Sequence, residues 1–261
     1  MTRTRARCSF LLFAIPLACA QHASVPASDG GVARAPGDDS LFEPALPNPA
    51  RAGDQPSELT LVALTLRQTS AGAALLAAVR NDGPTPSCEA GLLTEFFDQS
   101  GATLGSAGVT LQSTHFYRAG GDAAENQLIS CIAPSEIAMG AATDLPASLE
   151  LTAIASLDHA FPAFTVGDPT EVDGVSVSHL ASVTTASGRA YTGVLANESD
   201  VTTSSTSVSV FSLNEVGRPL ESLTLAMPHA LVPGESWSFQ TDSSTVSAAS
   251  AVAYPTAVFS N

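Results

Sequence analysis

Apolar residues recur at every second position in short runs along most of the chain. Leu59-x-Leu61 and Leu64-x-Leu66 keep this period, the spacing that puts side chains on one face of a strand. Ala73–Val79 is a fully apolar run and reads as a buried strand. Asn81-Asp82-Gly83-Pro84 follows as a turn, Gly91–Phe97 as a third strand, and Asp98-Gln99-Ser100-Gly101 as a second turn leading into Ala102–Leu111. Ser148–Ala155 reads as a last strand. No segment sustains a 3.6-residue period, so little helix is expected.

The same order recurs 116 positions on. In that register Leu64 falls on Leu180, Gly72 on Gly188, Asn81 on Asn197, Gly101 on Gly217 and Leu104 on Leu220. Val175-x-Val177, Tyr191–Leu195, Ser207–Leu213 and Ser236-Trp237-Ser238-Phe239 supply the corresponding strands. Asn197-Glu198-Ser199-Asp200 and Asn214-Glu215-Val216-Gly217 supply the turns. Ala251-Val252-Ala253 with Phe259 answers Ala153-Ile154-Ala155 with Phe161 at an offset of 98. The shortfall places an insertion within 112–130 of the first repeat. Short strands separated by turn signals indicate β-sandwiches. The expected organisation is a first repeat over 58–165, a linker over 166–173 and a second repeat over 174–261. Ahead of them come a signal segment, 1–20, and a disordered tether, 21–57.

Composition sharpens this. Only 13% of residues are charged, against about 25% in an average protein. The polar surface therefore falls to Ser, Thr, Asn, Gln and backbone, which suits strands better than helices. The net charge is −15, and every basic residue is an arginine. Such a surface repels nucleic acid and anionic lipid, so nucleic-acid binding is the first function excluded.

The N-terminal segment has a basic stretch with Arg3, Arg5 and Arg7, then the apolar run Ser9–Leu17, too short to span a bilayer. Ala18-Cys19-Ala20 offers cleavage before Gln21, and Leu17-Ala18-Cys19 offers cleavage before Cys19 with lipidation of its thiol. Both remain open. The localisation expected is therefore the cell envelope, lipid-anchored through Cys19 or else periplasmic or secreted. The tether is rich in Ala, Pro, Gly, Ser and Asp, with a reach of roughly 35 Å if flexible. Of the four cysteines, Cys8 belongs to the signal segment and Cys19 to its end. Cys88 and Cys131 remain, and an even number in an exported chain predicts a disulfide.

Three short motifs carry a resemblance. Val79-Arg80-Asn81 and Leu195-Ala196-Asn197 end a strand, Phe97-Asp98-Gln99-Ser100-Gly101 and Leu213-Asn214-Glu215-Val216-Gly217 make a turn, and Pro233-Gly234-Glu235 precedes Trp237-Ser238-Phe239. The first repeat departs from the last motif, with Pro134-Ser135-Glu136 and no Trp. In these features the repeats resemble FxLYD-type domains, immunoglobulin-like modules of bacterial exported proteins. The resemblance implies an all-β fold of two tandem immunoglobulin-like β-sandwiches, no catalytic residues and no cofactor.

Reading for chemistry agrees with that implication. His22, His115, His159, His179 and His229 stand apart from one another and from Cys or carboxylate at metal-ligand spacing. The chain has no G-x-S-x-G elbow, P-loop or G-x-G-x-x-G. Asn197-Glu198-Ser199 matches a glycosylation triplet by chance. The one candidate contact surface is His115-Phe116-Tyr117-Arg118 in the insertion, since Tyr and Arg are frequent at binding hot spots. The alternative is that Phe116 and Tyr117 cover an open sheet edge. The sequence is thus read as a non-enzymatic exported module whose partner is a protein or glycan of the envelope, meeting the membrane only through a lipid. Two other readings stand behind it: a binding protein or sensor for a small ligand at the domain interface, and, more remotely, a hydrolase.

Overall fold

Runs of Val, Leu, Ala, Ser and Thr punctuated by Asn, Asp and Gly turns fold here into antiparallel strands and no α-helix among the described residues. The computed structural model describes residues 41–42, 58–69, 72–118, 128–143, 145, 149–163 and 169–260. The signal segment 1–20, Cys19 and the tether other than 41–42 lie outside the described residues.

Strand β1 (Leu41–Phe42) lies in the stretch expected to be a disordered tether. It pairs with β2 (Leu59–Thr69) along an edge that would otherwise be open, so this part of the tether is a sheet strand. β3 (Gly72–Asn81), β4 (Ser87–Cys88), β5 (Gly91–Phe97) and β6 (Thr103–Thr110) come next. The insertion supplies β7 (Phe116–Arg118) and leads into β8 (Leu128–Ile132) and then β9 (Ile137–Ala142). β10 (Ser156–Ala160) and β11 (Thr170–Val172) precede the second set. That set is β12 (Val175–Thr185), β13 (Gly188–Asn197), β14 (Thr203–Leu213), β15 (Pro219–Ala226), β16 (Ser236–Gln240) and β17 (Ser250–Phe259).

Among the described residues the strands form five small sheets. In order they are β1-β2-β3-β9, β10-β5-β6, β11-β7-β8-β4, β12-β13-β16 and β15-β14-β17. A first core, with Leu64, Leu66, Leu75, Val79, Leu92 and Phe96, draws on the first two sheets. A second, with Tyr191, Leu195, Val208, Val210 and Phe239, draws on the last two. The arrangement is sandwich-like, with inward apolar residues alternating with outward polar ones. Each fully buried Leu or Phe contributes roughly 1.5–3 kcal/mol. Residues Asp39–Asn261 form one compact unit.

Two expectations change. Leu151–Ala153 is a single 3₁₀ turn, and the last strand of the first set begins at Ser156. Ser156 pairs with Phe97 as Ser250 pairs with Leu213, so the final offset is 94 and the Ala-Ile-Ala likeness is out of register. Leu149, Leu151 and Ile154 still enter the first core, which is why the segment has the apolar pattern of a strand. The expected linker, 166–173, contains β11, which pairs with β7 through Thr170↔Arg118 and Val172↔Phe116.

Candidate functional site

The insertion is rooted by one carboxylate. Glu136 accepts from the Ser113 hydroxyl at 2.8 Å and from the backbone N–H groups of Thr114 and Ala133 at 3.0 and 2.7 Å. The Ser113 hydroxyl also lies 2.7 Å from the Cys131 carbonyl. From this root the chain runs into β7, whose three residues meet three different surroundings.

Phe116 is 2% exposed and belongs to the second core, edge-to-face on Phe259 with ring centroids 5.6 Å apart. Its ring occupies the space a Cβ would need at Gly174, so only glycine fits there. Tyr117 turns the other way and packs on the disulfide of Cys88 and Cys131 with Ile129. Cys88 and Cys131 are a directly opposed cross-strand pair of β4 and β8, bonded at 2.06 Å. Burial, with the charges of Glu171 and Glu136 nearby, raises the Tyr117 phenol above its ordinary pKa. Arg118 donates from Nη2 to Asp200 Oδ1 at 2.8 Å, and His115 Nδ1 lies 2.6 Å from Glu171 Oε1.

For Phe116 and Tyr117 these positions correct the expectation that His115, Phe116, Tyr117 and Arg118 form a partner-contact surface. Phe116 and Tyr117 are buried within the chain, because alternation along β7 sends one ring into each of two apolar clusters. His115 and Arg118 are partly exposed and held by carboxylates. The rings enter two apolar clusters of the fold, where the alternative placed them over an open sheet edge.

Beside β7 lies an open hollow of about 560 Å³ lined by Arg118, Glu171, Val172, Asp173, Glu198, Ser199 and Asp200. Its carboxylates would attract a cation, yet Asp200 already meets Arg118 and Glu171 already meets His115. A second hollow of about 470 Å³ lies over β13 and β16 beside His179. No three His, Cys, Asp or Glu residues come together in a metal-holding group among the described residues. His159 meets Phe161 edge-to-face, and its burial lowers its pKa. His229 lies 3.3 Å from Glu235.

Asn197, in the glycosylation triplet, is fully buried. Its Nδ2 donates to the carbonyls of Val201 and Leu231, so its amide is engaged. Phe239 lies in the second core with Trp237 packed beside it, as their shared strand face indicates. Sequence reasoning marked Glu136 through the Pro-x-Glu motif but missed Ser113, Glu171 and Asp200, whose partners are distant in sequence.

No family model matches the chain, and no curated protein matches it in sequence.

Proposed function

We propose that the protein is a non-enzymatic exported module of the cell envelope, built from two immunoglobulin-like sandwiches of the FxLYD type and acting by protein or glycan contact. The observation that carries the reading is a hydrogen-bond plan repeated at the motif residues. Asn81 Nδ2 donates to the carbonyls of Thr85 and Ile132 as Asn197 Nδ2 donates to those of Val201 and Leu231. Asp98 Oδ1 accepts from the N–H groups of Ser100 and Ala102 as Asn214 Oδ1 accepts from those of Val216 and Arg218. Glu136 accepts from the Ala133 N–H as Glu235 accepts from that of Val232. These six motif residues thus hold turns and loop ends, which favours a scaffold over a reaction centre. The disulfide is compatible with an oxidising, extracellular compartment.

Incorporation of labelled palmitate, with and without Cys19→Ser, tests the anchor, and crosslinking in envelope fractions tests the contact. The expected result is a membrane-associated chain with an oxidised Cys88–Cys131 pair and a discrete crosslinked partner. A chain that stays reduced and inside the cell would sink the reading. A second reading rests on the hollow beside Arg118, as a site for a small organic cation between the two halves. A melting shift with an amine library that is lost in Asp173→Asn would favour it.

A further inference from the structure

Strand β7 connects the disulfide to a core it does not belong to. The bridge joins β4 to β8, and their pairing covers only Ser87↔Ile132 and Cys88↔Cys131. β8 holds β7 through Phe116↔Ser130, Tyr117↔Ile129 and Arg118↔Leu128. β7 in turn holds β11 and carries Phe116 into the cluster of Val175, Tyr191, Leu195 and Phe239. Phe116 is the member of that cluster contributed from before residue 170. The Glu136 network fixes the start of the insertion at Ser113 and Thr114, and the sheet built on the bridge fixes β7 itself.

We infer that the Cys88–Cys131 bridge is a latch, so that the second core is completed only when two cysteines of the first half of the chain are oxidised. Between β4 and β8 there are two residue pairs and the bond from the Glu89 N–H to the Ser130 carbonyl, a short contact that the covalent link reinforces. With the thiols free, β7 and β8 keep their pairing with each other and with β11 but lose the covalent tie to β4, and the position of Phe116 loosens. Closing the latch forms one S–S bond and removes two protons and two electrons. A disulfide oxidant takes them up and is reduced to its dithiol. Cys88 and Cys131 are 0% and 1% exposed, and Tyr117 lies on them. Thiols in solution cannot reach the closed bridge while the sheet is in place, so the latch sets once. This goes beyond the envelope reading and does not depend on it, because any oxidising solution closes the bridge.

Amide hydrogen exchange on the full chain, read by mass spectrometry, tests the inference. The reduced wild-type chain is refolded with a phosphine reductant and then oxidised, beside a Cys88→Ala, Cys131→Ala double variant. In the reduced chain and in the variant, protection over 188–197 and 203–213 should be at least tenfold below that of the oxidised chain. Protection over 59–66 and 92–96 should change far less. Oxidation should restore the wild type and leave the variant as it was. Phe116→Ala, with its bridge intact, should show the same regional loss. Equal protection of the second core in both redox states overturns the inference. So does an equal loss in both cores, which would make the bridge a general stabiliser. Should the double variant not accumulate, the reduced and oxidised wild type decide alone.

Discussion

Asn81 and Asn197 do the same work with the same groups. Each is fully buried, donates twice and accepts from the N–H two residues on, Gly83 or Ser199, and Asn197 accepts from the Ser199 hydroxyl as well. A buried amide left unmatched costs about 1–3 kcal/mol, and these side chains satisfy carbonyls of two separate loops. The middle residue of the Pro-x-Glu motif tells a different story. Ser135 and Gly234 both donate their N–H to the corresponding Asn carbonyl at 2.8 Å. Both stand in the left-handed region, Ser135 at φ 67° and Gly234 at φ 79°. A Cβ in that region costs about 1 kcal/mol, so the first copy holds a strain the second avoids. Ser135→Gly should therefore stabilise the protein by about 1 kcal/mol, raising Tm by about 2–4 °C. Calorimetry showing no rise would mean that the Ser135 backbone is not strained.

At the scale of the element, the two hairpin turns β5–β6 and β14–β15 share one plan with different chemistry. Gly101 and Gly217 close them at φ 82° and 78°. The first is tied by a carboxylate and the second by an amide. The Ser100 hydroxyl, then the Ala102 N–H, bind the charged form of Asp98 and lower its pKa. A lowered folded-state pKa means that this support is complete above the unfolded value of about 4 and fades as pH falls through the folded one. The first hairpin should loosen on acidification, and the second, held by Asn214, should not. NMR of the Ser100 and Ala102 amides from about pH 5 to pH 2 should show the loosening in the wild type. Asp98→Asn should abolish it. An unchanged acid response in the variant would assign the loosening to another group.

The whole molecule is asymmetric because equivalent faces carry different residues. On the outer face of β3 and β9, Leu76 lies beside Ala141 and Ala78 beside Met139. These residues pack against Phe211, Leu213, Val252 and Tyr254 of the second half. Tyr254 donates to the Ile137 carbonyl at 2.7 Å, and Arg67 lies 3.4 Å from Glu221 at the same junction. The matching face of β13 and β16 pairs Thr192 with Gln240 and Val194 with Ser238. A polar face gains little from docking. Placing the second face on the first with Leu76→Thr and Met139→Ser should cost on the order of 4 kcal/mol and expose Tyr254. Burial raises the Tyr254 phenol well above its ordinary value of 10.0. A neutral phenol is favoured in the folded state, so its contribution is present below about pH 10 and is lost as pH rises further. Ultraviolet titration should find Tyr117 and Tyr254 both resisting ionisation in the wild type, and Tyr117 alone resisting in the variant. Two tyrosines still resisting in the variant would mean that the junction survives without those two side chains.

The sequence by itself determined what depends on neighbours along the chain. Period-2 apolar runs located nearly every long strand, Asn and Asp followed by Gly located the turns, and cysteine counting paired Cys88 with Cys131, because each signal is local or combinatorial. A short insertion and a Gly/Asp/Pro stretch have the pattern of loop and linker, since strands of three residues carry no period to read. Only the tertiary structure decided that β7 and β11 pair, and that Phe116 lies in a core 50 or more residues downstream in sequence. It also decided that Leu76 and Met139 face another half of the molecule instead of water. Those choices rest on which face of a strand meets which surface, and alternation reports that a face is apolar without saying what covers it.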